Sequence, residues 1–165
     1  MSAQEYHFTT RWHFRGTAQE VMDILEDPTD LVRWWPSVYL EVVVIRRGDE
    51  DRIGEEIALH TKGWLPYTLR WQLRTTEIIP QRKIAFDVWG DFTGRGVWLF
   101  EEEAEWVNVT YEWHVRVNKP LLRYFSILLK PIFSANHHWA MKEGEKSLRR
   151  ELSRRQAQKA RRPTG

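Results

Sequence analysis

Residues 105–117 alternate without a break. Val107, Val109, Tyr111, Trp113 and Val115 fall on one side of the chain, and Asn108, Thr110, Glu112, His114 and Arg116 fall on the other. A repeat of two held this long describes a strand with one buried face, and a helix cannot satisfy it. The same period opens the chain, where Tyr6, Phe8, Thr10, Trp12 and Phe14 alternate with His7, Thr9, Arg11, His13 and Arg15. It returns in residues 67–79, where Tyr67, Leu69, Trp71 and Leu73 alternate with Thr68, Arg70, Gln72 and Arg74. Segments 38–46, 53–62, 83–89 and 93–102 are rich in β-branched and apolar residues, and turn residues such as Gly48, Gly63 and Pro80 bound them. Six strands between 38 and 117 at hairpin spacing predict an antiparallel meander, and the first strand brings the total to seven.

The period changes where helices are expected. Thr17-Ala18-Gln19-Glu20 reads as a capping box before Val21, Ile24 and Leu25. Asp27-Pro28 is a second helix start, and that helix must be short because Trp35 precedes Pro36 and is pushed out of helical geometry. Pro120 predicts a third start, Lys130-Pro131 an interruption, and beyond it a long helix to about residue 152. Phe133, His137, Ala140, Met141, Gly144, Leu148 and Leu152 form one face of that helix. Past residue 155 apolar periodicity is absent, so 1–155 reads as one domain and 156–165 as a basic, disordered tail. The fold class is α+β. A twisted seven-stranded sheet needs its concave face covered, the last helix is the element long enough to do it, and the space between them is a natural ligand site.

Composition removes several chemistries. The chain of 165 residues has no cysteine, which excludes disulfide scaffolds, thiolate metal sites and cysteine nucleophiles. The net charge of +2 hides an asymmetry: residues 142–165 carry nine Lys/Arg against three Glu, and the remainder is mildly acidic. No aromatic residue follows Trp139, so the basic segment lacks a stacking platform and no nucleic-acid partner is expected. The first residues show no basic-then-apolar leader, and no apolar stretch approaches the roughly 20 residues of a membrane span, so a cytoplasmic protein is expected. The excess is aromatic, with ten Trp, five Tyr and seven Phe. Either the core is unusually bulky or something flat and apolar is lined.

Strand parity places Trp12, Tyr67, Trp71, Phe86, Tyr111 and Trp113 on the concave face. Trp98 is ambiguous because Val97 and Leu99 are as apolar as Trp98 and Phe100, while Trp89 and Trp106 share parity with polar residues and point outward. Phe133, Asn136, His137 and Met141 lie on or beside the sheet-facing side of the long helix, where an amide or imidazole must find a partner or a ligand. His137 is the candidate acid/base group. His137 and His138 stand about 100° apart around the helix, and no His-x-x-x-His spacing exists, so no metal site and no cofactor are expected. His60, Glu112 and His114 share parity with charged residues and read as solvated. Gly90, Gly94 and Gly96 fail the dinucleotide pattern and read as turn and bend glycines.

Four stretches carry a family resemblance: Arg33-Trp34-Trp35-Pro36, His60 through Tyr67, Trp89 through Gly96, and Ser134 through Met141. With the order of elements, they resemble the bacterial, polyketide-cyclase-like branch of the START-like (SRPBCC) superfamily. The resemblance implies a helix-grip fold, a curved sheet wrapped around the carboxy-terminal helix with two short helices after the first strand. It also implies an apolar cavity, with Trp34 and Trp35 near its mouth, but it does not choose a reaction. The leading expectation is therefore binding of a hydrophobic, aromatic or polycyclic small molecule by Trp12, Trp35, Tyr67, Trp71, Phe86, Trp98, Tyr111, Trp113, Phe133, Asn136, His137 and Met141. The alternative is a cyclase or dehydratase using His137, with Asn136 orienting the substrate. A third is a lipid carrier touching a membrane through Trp64-Leu65-Pro66 and the basic tail, although a folded-over lid accounts for that turn more simply.

Overall fold

The computed structural model describes residues 5–64, 67–118 and 126–163. Seven strands form one curved antiparallel sheet: β1 (Glu5–Arg15), β2 (Tyr39–Arg46), β3 (Glu56–Lys62), β4 (Thr68–Ile79), β5 (Lys83–Gly90), β6 (Phe92–Glu103) and β7 (Trp106–Val117). Their spatial order is β1-β7-β6-β5-β4-β3-β2, so the meander closes back on the strand that opens the chain. Between β1 and β2 lie α1 (Ala18–Leu25), a 3-10 turn (Pro28–Asp30) and α2 (Leu31–Trp34), and α3 (Ser126–Arg161) ends the fold.

Parity is realised in the core. On β7 the residues Val107, Val109, Tyr111, Trp113, Val115 and Val117 are all buried, and on β1 so are Tyr6, Trp12 and Phe14. The register pairs Trp12 with Val109 and Trp98 with Tyr111, which puts both tryptophans on the inner face. From α3, Phe133, Met141, Leu148 and Leu152 are buried against the sheet side. Among the described residues no helix is long and apolar enough to cross a membrane.

The expected helix starts form with local differences. Thr17 Oγ1 accepts from the Glu20 amide at 3.1 Å, while the Glu20 carboxylate accepts from Gln156 Nε2 at 2.7 Å, tying α1 to the end of α3. Asp27 Oδ1 accepts from the Thr29 amide at 3.1 Å, with Pro28 at the first position of the 3-10 turn.

Two expectations about the last helix are corrected. Pro131 lies inside α3 instead of interrupting it, because a proline there forfeits one backbone hydrogen bond in a helix with many turns to support it. The helix also continues past residue 155 to Arg161. Residues 156–161 lack an apolar stripe, but Gln, Ala, Lys and Arg are all strong helix formers, so propensity extends the helix where periodicity stops. The start expected at Pro120 lies outside the described residues.

Candidate functional site

A cavity of about 120 Å³ lies between the concave face and the first half of α3. Leu69 and Trp71 of β4, Trp98 of β6, and Tyr111, Trp113 and Val115 of β7 line it from the sheet. Phe133, Asn136, His137 and Met141 line it from the helix, and Trp35 and Tyr39 from the segment that leads into β2. The aromatic rings support one another. Trp98 and Tyr111 stack at 4.0 Å between centroids, and Trp71 meets Trp113 edge-on at 5.6 Å. These arrangements fix ring planes, so the wall is stiff and flat.

Three polar side chains of the wall, those of Trp71, Thr61 and Asn136, are paired within the protein. Trp71 Nε1 donates to Thr61 Oγ1 at 3.1 Å, and Asn136 Oδ1 accepts from the Trp64 amide at 3.0 Å. Burial holds the Tyr111 phenol well above its ordinary pKa, with Tyr39 nearby adding to the effect, so it stays protonated.

Two wall groups have no hydrogen-bond partner although their atoms are buried: Trp35 Nε1 and His137 Nε2. The His137 ring stacks on Phe8 at 4.2 Å and 15°. Burial, with a smaller contribution from neighbouring His138, lowers its pKa to about 4, so at neutral pH it is an uncharged imidazole. A buried polar atom without a partner is costly, by about 1–3 kcal/mol, unless something supplies the missing bond.

The structure brings together Trp35, Trp71, Trp98, Tyr111, Trp113, Phe133, Asn136, His137 and Met141, all of which line the cavity. It does not bring Trp12, Phe86 or Tyr67 to the lining. Trp12 sits one layer behind, its ring against Trp35 at 6.0 Å and Trp98 at 5.1 Å. Phe86 fills the space over Gly96, where a Cβ would come within 2.3 Å of its ring. Tyr67 packs beside the cavity, 6.3 Å from the Phe133 ring.

Trp34 and Trp35, expected near the mouth of the cavity, do not share one role. Both are buried and the two indoles stack at 5.5 Å; Trp35, pressed against Gly144 on α3, lines the cavity, whereas Trp34 is not part of the lining. Asn136 is not free to orient a substrate through its carbonyl, which holds the β3–β4 turn. Trp64 is 50% exposed, and Leu65 and Pro66, the rest of the turn expected to fold over as a lid, lie outside the described residues.

Among the lining residues that sequence reasoning missed are Phe8, Tyr39, Thr61, Leu69, Phe92 and Val115. Phe8 was legible, being on the inward parity of its strand. Tyr39 was not, because residues 38–46 show no clean alternation. On the convex face, His60 bonds Thr68 Oγ1 at 2.7 Å, and His114 is exposed. That face holds an arrangement invisible to spacing rules along one element, in which His7, Glu112 and His114 gather from two strands with one ligand atom from each within 4.8 Å of the others.

A model of the family described as polyketide cyclase / dehydrase and lipid transport matches residues 15–136. The chain belongs to that family. It has the SRPBCC fold with which family members bind hydrophobic small molecules. Among solved structures, the Zhui aromatase/cyclase from Streptomyces sp. R1128 superposes with a TM-score of 0.74 at 16% identity, covering 92% of this chain and 96% of its own. A START superfamily protein from Mycobacterium smegmatis gives 0.71 at 12% identity, with 90% and 97% covered. The di-domain ARO/CYC StfQ from the steffimycin biosynthetic pathway gives 0.63 at 16% identity, and the match spans 90% of this chain and 52% of that one. At these identities the likeness is one of fold. No curated protein matches the sequence.

Proposed function

We propose that this protein binds a small, flat, apolar molecule about the size of one aromatic ring, with a polar substituent directed at His137 Nε2. The observation that carries the reading is the pairing of a stacked aromatic wall with two buried, unpartnered polar atoms. Size limits the ligand. An apolar protein cavity of about 150 Å³ accepts benzene, so about 120 Å³ favours a single ring over a polycycle. Chemistry limits it further. Trp35 Nε1 can only donate, whereas the neutral imidazole of His137 donates from one nitrogen and accepts at the other. A ring bearing a hydroxyl or carbonyl group meets both requirements.

The test is quenching of intrinsic tryptophan fluorescence by a series of one-, two- and three-ring phenols and ketones. Saturable quenching that is strongest for the one-ring compounds, and that weakens in His137→Leu, is the expected result. A response that never saturates for any compound overturns the reading.

The neutral imidazole, with Nε2 unpartnered, also favours a second reading, in which the same site catalyses a cyclisation or dehydration with His137 as general base. A base buried beside the reacting carbon would take the proton α to a carbonyl, and a pKa lowered to about 4 makes it a weak base that works only on an acidic proton. Turnover of a β-dicarbonyl substrate that disappears in His137→Leu while binding persists distinguishes catalysis from binding alone.

A further inference from the structure

We propose that His7, Glu112 and His114 form a binding site for a divalent transition-metal ion on the convex face of the β1–β7 ladder. The backbone already presents the three side chains together. His7 and His114 are directly opposed in the register, and Glu112 lies two residues before His114, so all three point to the same face. His7 Nε2 stands 3.0 Å from Glu112 Oε2, and the two imidazole rings are 3.4 Å apart between centroids. One ligand atom from each residue lies within 4.8 Å of the others. Around a tetrahedral zinc ion, ligand atoms about 2.0–2.2 Å from the metal stand about 3.3 Å from one another. Closing the difference takes side-chain rotation, because the ladder runs unbroken from Glu5 opposite Arg116 to Arg15 opposite Trp106.

The surroundings fit a ligand set. Thr9 Oγ1 donates to Glu112 Oε2 at 3.1 Å and orients the carboxylate, the kind of outer partner that fixes the direct ligands of a metal in metalloproteins. Two imidazoles and one carboxylate suit zinc, copper and nickel over magnesium and calcium, which take oxygen ligands. Three protein ligands leave at least one coordination position open to water or to a group from another molecule. Affinity is limited by exposure, since His7 and Glu112 side chains are 55% and 33% exposed, and by Arg95, which the register places opposite His114 on β6. The site is therefore weaker than a buried, four-ligand structural zinc site. It is also separate from the cavity, because His7 alternates with Tyr6 and Phe8, which face inward. The ion would clamp β1, an edge strand, to its neighbour β7.

The experiment is a zinc titration of the tag-free full chain in competition with a chromophoric zinc indicator, repeated with cobalt for its visible absorption. One zinc per chain with micromolar affinity is expected, weakened at least about tenfold in His7→Ala and in His114→Ala and less in Glu112→Gln. His13→Ala serves as the control: His13 also lies on β1 with an outward side chain, but it is paired with Asn108 Oδ1 at 2.7 Å, and its removal is expected to leave binding unchanged. Because all of these side chains are on the surface, the variants retain their fold, and circular dichroism verifies this for each. Substoichiometric binding, or binding equally strong in His7→Ala and His114→Ala, overturns the proposal.

Discussion

The two halves of α3 do opposite work. From Gly144 to Gln156 the helix is fastened to the body: Gly144 lies against the Trp35 ring, Leu148 and Leu152 are buried, Arg149 donates to the His13 carbonyl at 3.0 Å, and Gln156 donates to the Arg15 carbonyl at 3.2 Å. From Phe133 to Met141 the same helix faces a cavity, and the half-buried His137 there has a buried Nε2 with no partner. One half spends its inward face on contacts and the other leaves room. The anchored half holds the cavity half over the sheet, so a space can persist where packing would otherwise fill it.

The anchored half depends most on Glu151. This carboxylate is 5% exposed and accepts hydrogen bonds from Arg33, Arg154 and Arg155, with the shortest contact at 2.6 Å from Arg33. Burial alone would raise its pKa, but the hydrogen bonds from Arg154, Arg33 and Arg155 outweigh burial and hold it far below the ordinary carboxylate value of 4.5. Glu151→Ala is expected to cost about 2–3 kcal/mol in urea unfolding, less than a fully buried ion pair because the arginines reach solvent. The sign with pH follows from the depression. The contribution is complete above the unfolded value and declines as pH falls below about 4.5, so the variant loses part of the acid limb of the wild-type stability curve.

Gly144 marks the boundary between the halves. A Cβ there would lie 2.3 Å from Trp35 Cζ2, and Trp35 is itself a cavity wall. Gly144→Ala is expected to destabilise by about 1–3 kcal/mol through overpacking and to move the indole toward the cavity. Thermal unfolding reads the first effect, and loss of saturable fluorescence quenching reads the second. Full binding in the variant would mean that the ring yields in another direction and that the two halves are less coupled than their contact implies.

How much of this was legible in the sequence depended on which physical rule governed each element. Alternation places the inward rows of β1, β4 and β7, because one face of each strand is buried and the other wet. Where both parities are apolar, as in Val97-Trp98-Leu99-Phe100, only the pairing of Trp98 with Tyr111 chooses the inner face. Depth was not legible at all. Trp12, Trp98 and Trp35 differ in whether they line the cavity or back its wall, and that is decided by packing between elements far apart in sequence. The same limit hid the fate of Asn136, whose partner at Trp64 is 72 residues away. His7, Glu112 and His114 escaped notice because cross-strand register, unlike helical spacing, cannot be read from one segment.

His137 gives the next effect, and it appears only with acid. Its folded pKa of about 4 lies below the ordinary 6.5, so the unfolded chain binds the proton first. Stability from this source is intact above about pH 6.5 and is lost as pH falls toward 4, the folded value. Between pH 7.5 and 5.5 the expected loss is about 1 kcal/mol. His137→Leu is expected to abolish that segment of the pH profile while leaving neutral stability little changed, since an apolar side chain satisfies a site where the imidazole nitrogen has no partner. A bound ligand that bonds the neutral imidazole would steepen the wild-type dependence and leave the variant's unchanged.

The smallest expected effect tests whether the cavity half of α3 is attached to anything beyond the sheet. Asn136 Oδ1 accepts from the Trp64 amide at 3.0 Å, and the side chain lies so close to Gly63 that a Cβ there would come within 1.9 Å of the same oxygen. Asn136→Ala removes one partly exposed hydrogen bond, worth about 0.5–1.5 kcal/mol. If the bond serves mainly to hold the β3–β4 turn against the helix, amide exchange at Trp64 should accelerate in the variant while exchange in β7 is unchanged. If Asn136 instead bonds a ligand through its amide nitrogen, exchange at Trp64 changes little and the loss appears in affinity. Gly63→Ala separates the two, because it displaces the Asn136 side chain from the turn without removing the amide from the cavity wall.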